Sequence, residues 1–323
     1  MQWEFSRRRR LVLNSSMMLA FSSALPVRAG AAEQWDISTS YPENTVSGAG
    51  VKLFAQLVSL NSPRLAAVAR YSVPGSVGVD ATVSDVLNSS FASVDPVFEL
   101  PTLPFVAHSA KEAKALLEAA RSYYDSALTR SGRVLLYTSP WPPSGIWSST
   151  PVRSLADLRQ TTIRTYDQTS ASLFDAVGAT SVVMPMSDAI EKAKRGGVTA
   201  ILSSGDGSVG ETLAPLLPYF TKLGYAIPIS FATIRRNAFE SLDRATRNVV
   251  LEAGAATEEM QWRRIHSRIA ENAARMRVNG VAVHELDAVA ISALHQAAAP
   301  VIDRWKTRVG DVSLQILKTT EHV

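Results

Sequence analysis

The middle of the chain alternates short β-branched runs with stretches whose apolar residues recur at helical spacing. A strand, helix, strand, helix, strand order is typical of a doubly wound α/β lobe. The pattern therefore predicts an α/β fold built around a parallel sheet. The predicted strands and helices alternate along residues 161–166, 170–178, 180–185, 187–197 and 198–204.

Two long amphipathic stretches lie outside this region. Residues 110–130 predict one helix, and residues 241–279 are helical in composition, with Ser241 as the expected N-cap. At about 1.5 Å per residue the second helix would span roughly 55–60 Å, which exceeds the width of one lobe. We therefore expect it to brace two lobes, with a bend at Gly254.

The remaining pattern predicts further strands and one crossing between lobes. Residues 139–145 contain three prolines, which excludes regular structure and favours such a crossing. Pro228 places the strand that contains it at a sheet edge or at a bend. The other predicted elements are a helix at 50–58 and strands at 35–41, 70–73, 77–83, 133–137 and 225–234.

A length of 323 residues suits two lobes. The order of the elements predicts that each lobe is discontinuous in sequence. Lobe I is predicted to comprise residues 32–140 and 230–270, and lobe II residues 141–229 and 271–323.

Residues 1–31 have the composition of an export signal. Four arginines at 7–10 precede a moderately apolar stretch, and the small residues at 29–31 suit cleavage by a signal peptidase. The apolar stretch is too short to span a bilayer. The arginine pair predicts a twin-arginine leader, with an ordinary Sec signal as the alternative. Either route places the protein in the periplasm.

Charge and cysteine content exclude several classes of protein. The chain has 33 basic and 29 acidic residues, but residues 1–31 hold five arginines and one glutamate, so the remainder is formally neutral. A nucleic-acid-binding surface needs a basic patch, and the chain offers only Arg263, Arg264 and Arg268 on one predicted helix. We therefore exclude nucleic acid as a partner. The absence of cysteine excludes disulfides and a lipid anchor on cysteine.

Arg164 is the residue whose position carries the most chemical information. It lies within a β-branched run, where a guanidinium is costly unless it is paired with an anion. The only acidic residue close to it in sequence is Asp167. Because open α/β sheets bind ligands at the carboxyl ends of their strands, Arg164 is predicted to bind a ligand carboxylate.

Two tryptophans flank the segment just before this strand. Trp141 and Trp147 could wall a cleft around an apolar or aromatic part of the ligand. Alternatively, they could pack the crossing between the lobes. The sequence leaves both interpretations open.

The loop at 205–210, GDGSVG, comes close to two catalytic motifs. It matches G-x-G-x-x-G after a predicted strand, but the acidic residue expected about twenty positions later is absent. It falls one residue short of the hydrolase motif G-x-S-x-G, because Asp206 replaces the first glycine. We expect a glycine-rich connection, with a hydrolase-like enzyme that uses residues 204–210 as the alternative function. The five histidines lack ligand spacing, so neither a metal nor a cofactor is predicted.

Several segments together have the features of one protein family. They are YPENTVSG at 41–48, the stretches at 95–120, 135–166 and 177–201, and the strand and long helix that follow. Over nearly the whole chain after the leader, these segments resemble the solute-binding subunits of TRAP transporters, in the DctP family. The resemblance implies a two-lobe periplasmic binding protein with a ligand cleft between the lobes. Such a protein catalyses nothing and delivers an organic acid to membrane permease subunits.

The resemblance also assigns roles to single residues. It implies that Arg164 binds the ligand carboxylate, that Ser204 and the adjacent Ser203 help to hold it, that Asp167 contacts the ligand and that Asn44 lines the cleft. The segment before Pro151, PSGIWSST at 143–150, lacks the second arginine of sugar-acid binders. That departure favours a monocarboxylate or keto acid with an apolar or aromatic body. A sensor-type binding protein that presents its ligand to a kinase is a further alternative.

Overall fold

Two mixed β-sheets organise the residues that the computed structural model describes, which are 33–73 and 82–319. The predicted leader and most of the predicted strand at 77–83 lie outside these residues. The first sheet has the strand order β2-β1-β3-β10-β4. Its strands are β1 Glu33–Thr39, β2 Leu65–Arg70, β3 Val83–Leu87, β4 Arg133–Pro140 and β10 Ile229–Arg235.

The second sheet has the strand order β11-β9-β5-β8-β6-β7. Strand β6 runs parallel to both of its neighbours, with Arg164 opposite Val182 on one side and Ile201 on the other. The predicted α/β region therefore forms one end of this sheet. Its strands are β5 Gly145–Ser148, β6 Thr162–Thr165, β7 Thr180–Val183, β8 Ala200–Ser203, β9 Tyr219–Lys222 and β11 Ala282–Glu285.

Helices cover both sheets. The predicted helix at 110–130 is confirmed with the same bounds. No helix in the described part of the chain is both long and apolar enough to cross a membrane. The helices are α1 Val46–Asn61, α2 Ala110–Arg130, α3 Leu155–Arg159, α4 Gln168–Ala176, α5 Met186–Lys194, α6 Ser208–Leu213, α7 Arg236–Glu240, α8 Arg244–Val278, α9 Ala288–Val309 and α10 Asp311–Leu317, with 3₁₀ turns at Asn88–Phe91 and Pro96–Thr102.

Each sheet has its own apolar core, which confirms the predicted two-lobe α/β fold. The first sheet packs around Phe54 on one side and Phe98 on the other. The second packs around Phe174 and Trp147. We call the first sheet with the helices on it the first lobe, and the second sheet with its helices the second lobe.

The chain passes between the two sheets through two short segments that bond to each other. Residues 141–144 lead from β4 to β5, and residues 223–228 lead from β9 to β10. The Trp141 amide donates to the Pro228 carbonyl at 2.8 Å, which pairs the two segments. Pro228 lies directly before β10. Strand β10 is an inner strand of the first sheet, between β3 and β4. The prediction of an edge strand is therefore wrong, because a proline outside the strand removes no donor from it.

Helix α8, with 35 residues, braces both lobes. Its residues reach the apolar cores of both, with Trp262 in the first lobe and Met276 in the second. Asp243 caps it by accepting from the Thr246 amide at 2.9 Å, so the predicted N-cap at Ser241 is wrong; Ser241 ends α7. Gly254 permits a close approach, because a Cβ there would lie 2.4 Å from the Leu136 carbonyl oxygen of β4; the bend stays a prediction.

The C-terminal helices contribute to both cores. Leu294 of α9 packs in the second lobe, whereas Trp305 of the same helix and Ile316 of α10 pack with Phe98 in the first. The predicted lobe boundaries stay a prediction, and this packing divides the last segment between the two lobes.

Candidate functional site

Arg164 lies at the carboxyl end of β6, where its neighbours β7 and β8 also end. Its Nε donates to the Met184 carbonyl at 2.8 Å, and its Nη1 lies 3.4 Å from the Leu202 carbonyl. The residue is only 5% exposed. These two backbone carbonyls, which follow from the parallel register, hold the guanidinium at the end of the sheet.

In the part of the chain that the structure describes, no carboxylate pairs with this guanidinium. Among the described residues, none forms an ion pair with Arg164 within 4.0 Å, and its Nη2 makes no hydrogen bond to any of them. Burial lowers the pKa of Arg164, against the opposing influence of Tyr41, Tyr166 and Asp167. A buried cation in this state is stabilised by an anion that brings its own charge and acceptor atoms.

Ser203 and Ser204 lie at the end of the neighbouring strand β8. The Ser203 hydroxyl accepts from the Gly205 amide at 3.0 Å, and the Ser204 carbonyl accepts from Asn272 of α8 at 2.6 Å. Because Leu202 directly before them bonds to Arg164, the structure brings both serines to the same end of the sheet as the guanidinium. Their contact with a ligand stays a prediction.

Asp167 caps helix α4. Its Oδ1 accepts from the amide of Ser170 at 2.8 Å, and its Oδ2 is buried without a hydrogen bond to any described residue. Burial raises the pKa of Asp167, and the bonds from Ser170 oppose the rise. The residue therefore has a structural role as a cap, and its predicted ligand contact stays a prediction.

Two tyrosines that we did not predict complete the surroundings of Arg164. Tyr166 follows Arg164 by two positions, a spacing that places both side chains on one face of an extended chain. Its hydroxyl is buried and makes no hydrogen bond to a described residue. Tyr41 lies within electrostatic range of Arg164 and packs on Trp141 with ring centroids 4.7 Å apart. The period of two after Arg164 is the signal that could have identified Tyr166.

The two tryptophans have different surroundings. Trp141 is 6% exposed, and its Nε1 donates to the Ser230 hydroxyl at 2.8 Å, beside Tyr41. Trp147 is fully buried in the core of the second lobe and packs on Phe220 with ring centroids 5.3 Å apart. Trp141 thus packs on Tyr41, which lies within electrostatic range of Arg164, whereas Trp147 lies in a packed core. A wall role for Trp147 stays a prediction that none of these contacts supports.

Asn44 lies in a polar cluster that joins the two lobes. Its Oδ1 accepts from the amide of Ser208 at 2.9 Å. Asp206 accepts from the amide of Val46 at 2.8 Å and from Nε of Arg268 at 2.9 Å. We call these five residues the latch. Asn44 and Val46 come from the first lobe, Asp206 and Ser208 from the loop after β8, and Arg268 from α8.

The geometry of the 205–210 loop explains its glycines without catalysis. Gly205 and Gly207 have φ of +64° and +61°, in the left-handed region that favours glycine. A Cβ on Gly205 would also lie 2.2 Å from the Trp147 ring. The Ser208 hydroxyl makes no hydrogen bond to a histidine or carboxylate of the described residues, and these residues contain no cluster that could hold a metal ion.

The family of the chain follows from comparison with known proteins. The model of the DctP family, described as bacterial extracellular solute-binding protein, family 7, matches residues 37–308. The chain belongs to this family. The resemblance inferred from the sequence is therefore confirmed, and the members of this family are solute-binding receptors.

Solved structures with the same fold include receptors with bound organic acids. DctP7 of Bordetella pertussis, an extracytoplasmic solute receptor binding pyroglutamic acid, is 27% identical, with a TM-score of 0.84 over 90% of this chain and all of its own. DctP6 of the same organism, which also binds pyroglutamic acid, is 24% identical with a TM-score of 0.83 and the same coverage. A TRAP solute-binding protein from a marine metagenome, specific for pyroglutamate, is 21% identical with a TM-score of 0.84 over 90% of this chain and 99% of its own.

Proposed function

We propose that this family 7 protein is the periplasmic solute-binding protein of a TRAP transporter, that it captures an organic monocarboxylate at Arg164 and that it delivers the acid to membrane permease subunits. The observation that carries the proposal is the buried guanidinium, which no described carboxylate neutralises. A ligand carboxylate would supply the missing charge and accept from the free Nη2.

The residues around Arg164 favour a small, flat acid. Tyr41, Tyr166 and Trp141 offer aromatic surface beside the guanidinium, which suits a ring or a short apolar body. The receptor DctP7 of Bordetella pertussis, 27% identical, binds pyroglutamic acid, a cyclic monocarboxylate. Pyroglutamate and keto acids of similar size are therefore the first ligands to test.

The two-lobe architecture explains how binding would be used. Tyr41 and Trp141 come from the first lobe and its crossing, whereas Arg164 and Tyr166 come from the second. A ligand that contacts both groups stabilises the closed arrangement relative to the open one. The closed form is then the species that the permease recognises, and no chemical step is involved.

A binding experiment on residues 32–323 tests this proposal. Pyroglutamate should raise the melting temperature and bind in isothermal titration, whereas its neutral carboxamide should bind at least tenfold more weakly because it lacks the charge that Arg164 needs. Arg164→Lys should weaken binding at least tenfold, about 1.4 kcal/mol or more, because lysine cannot form the two parallel bonds of a guanidinium.

The control is Arg263→Lys on the exposed face of α8, where the arginine pairs with Glu259 and with no other described residue. That change should leave the affinity at the wild-type value. A folded Arg164→Ala protein that binds carboxylates as tightly as the wild type would contradict the site assignment. A wild-type protein that binds no organic acid in a broad panel would contradict the function.

A further inference from the structure

A chain of buried hydrogen bonds runs from Trp141 into the first lobe. Nε1 of Trp141 donates to the Ser230 hydroxyl at 2.8 Å, and this hydroxyl lies 2.9 Å from that of Ser47. The Ser47 hydroxyl in turn donates to Oδ1 of Asp85. Asp85, Ser47 and Ser230 are all fully buried, so water does not compete for these bonds.

The chemistry of the groups fixes the direction of every bond in this chain when Asp85 is ionised. An indole N–H can only donate, and a carboxylate can only accept. Ser47 therefore donates to Asp85, and Ser230 is free to donate to Ser47 while it accepts from Trp141. The charge on Asp85 thus fixes the direction in which both hydroxyls donate, and the indole N–H donates to the hydroxyl at the end of the chain.

This chain ends next to the ligand site. Trp141 packs on Tyr41, and Tyr41 lies within electrostatic range of both Arg164 and Asp85. No lysine or arginine among the described residues forms an ion pair with Asp85. A buried carboxylate without a cationic partner among these residues therefore lies close to Tyr41, which packs on Trp141.

We propose that Asp85 is a positioning residue of the ligand site, which holds Trp141 in place through Ser47 and Ser230 and takes up a proton when an anionic ligand binds. The inference rests on the proposed function, because it requires an anionic ligand at Arg164. It adds a residue that the sequence analysis did not identify and a coupling between ligand capture and pH.

The groups that face Asp85 make its charge responsive to the ligand. They are Ser47 of α1, Ser230 of β10, Tyr137 of β4 and Tyr41 of the loop before α1. Burial raises the pKa of Asp85 to about 7, against the opposing hydrogen bonds from Ser47, Tyr137 and Ser230. A bound carboxylate adds a second negative charge nearby and favours the protonated form further. By linkage, an anionic ligand binds the protonated protein more tightly, so affinity should rise as the pH falls from about 8 to about 6.

Titration of pyroglutamate into the protein in two buffers of different ionisation enthalpy measures this coupling. Near pH 7.5 the wild type should take up a fraction of a proton per ligand bound, and its affinity should rise several-fold between about pH 8 and about pH 6. Asp85→Asn, which keeps the size and removes the charge, should abolish the uptake and flatten the profile. Asp125→Asn on α2 is the control, because burial also raises the pKa of that carboxyl while the charges that act on it are those of Arg121 and Glu258; this variant should retain the uptake.

A second measurement needs no ligand. The fluorescence of Trp141 should titrate with a midpoint near pH 7 in the free protein, and both Asp85→Asn and Trp141→Phe should remove this transition. Ser230→Ala should also remove it, because this change breaks the chain between Asp85 and the indole. If Asp85 had only a structural role, its replacement would change neither the proton uptake on binding nor the fluorescence transition.

The outcomes separate this inference from the proposed function. Undiminished proton uptake in Asp85→Asn, or an unchanged fluorescence transition in that variant, would overturn the inference while carboxylate binding at Arg164 stands. If no organic acid binds the wild type, the proposed function fails and the proton-uptake part of the inference fails with it, and the ligand-free fluorescence titration still decides whether Asp85 orders Trp141.

Discussion

Replacing Asp206 with asparagine tests the latch between the lobes. The Asp206 side chain has no exposure to solvent and accepts from Val46 and from two nitrogens of Arg268, with Arg275 at 3.7 Å. Asparagine keeps the size but brings an NH₂ group in place of one acceptor. That NH₂ must face a donor, either the amide of Val46 or the guanidinium of Arg268.

The structure sets the size of the effect. Breaking a buried ion pair on one side costs about 3–5 kcal/mol, because the remaining charge is left without a partner. The Arg268 side chain is 13% exposed, and asparagine retains one acceptor oxygen, so part of this cost is recovered. We therefore expect Asp206→Asn to lower the free energy of unfolding by about 2–3 kcal/mol.

Urea unfolding followed by tryptophan fluorescence measures this loss. Glu259→Gln is the matched control, because Glu259 pairs with Arg263 on the exposed surface of the same helix and its loss should leave the midpoint unchanged. If Asp206→Asn unfolded at the same urea concentration as the control variant, the latch would contribute nothing. Our account of the 205–210 loop would then be wrong.

Two further predictions concern the tryptophans and the leader. Trp147→Ala should lower the free energy of unfolding by about 3–5 kcal/mol, because it leaves a cavity in a packed core. Trp141→Ala should weaken the binding of bulky acids by about 1–2 kcal/mol, from roughly 50–80 Å² of lost contact, and should affect small acids less. Isothermal titration of one small and one bulky acid separates the two roles; an equal loss for both acids would assign Trp141 to packing. Mass measurement of the exported protein should give an N-terminus near Ala32, and a product that retains residues 6–10 would refute cleavage there.

Much of the fold could be predicted from periodicity because its signal is local. The helix at 110–130 and the alternating elements around Arg164 follow from residues a few positions apart. Where the sequence prediction was wrong or incomplete, the cause is tertiary packing. Ser241 and Asp243 are both good caps, and only the packing of α7 decides between them. A glycine in a helix suits a bend as well as a close approach, and the close approach at Gly254 arises from the neighbouring strand β4.

The candidate ligand site could be predicted from the sequence only at Arg164, where a single residue indicates the chemistry. Arg164 is anomalous within its own strand, so its role can be inferred without knowledge of the fold. Tyr41 and Asp85 are ordinary in sequence, and they become informative only because α1, β3 and β10 bring them towards the crossing. For Trp141 and Trp147 the sequence left the choice open, because both surroundings depend on partners more than 60 residues away.

The 205–210 loop shows why a motif that fails two catalytic tests still has a constrained sequence. Its glycines are needed for backbone conformation and close packing, and its aspartate for the bonds to α1 and α8. The same short stretch begins at Leu202, whose carbonyl contacts Arg164. Three residues thus separate Leu202, beside the proposed ligand site, from Asp206 of the latch. We therefore expect a ligand that orders the end of β8 also to order Asp206, which would couple ligand capture to lobe closure through this short stretch of backbone.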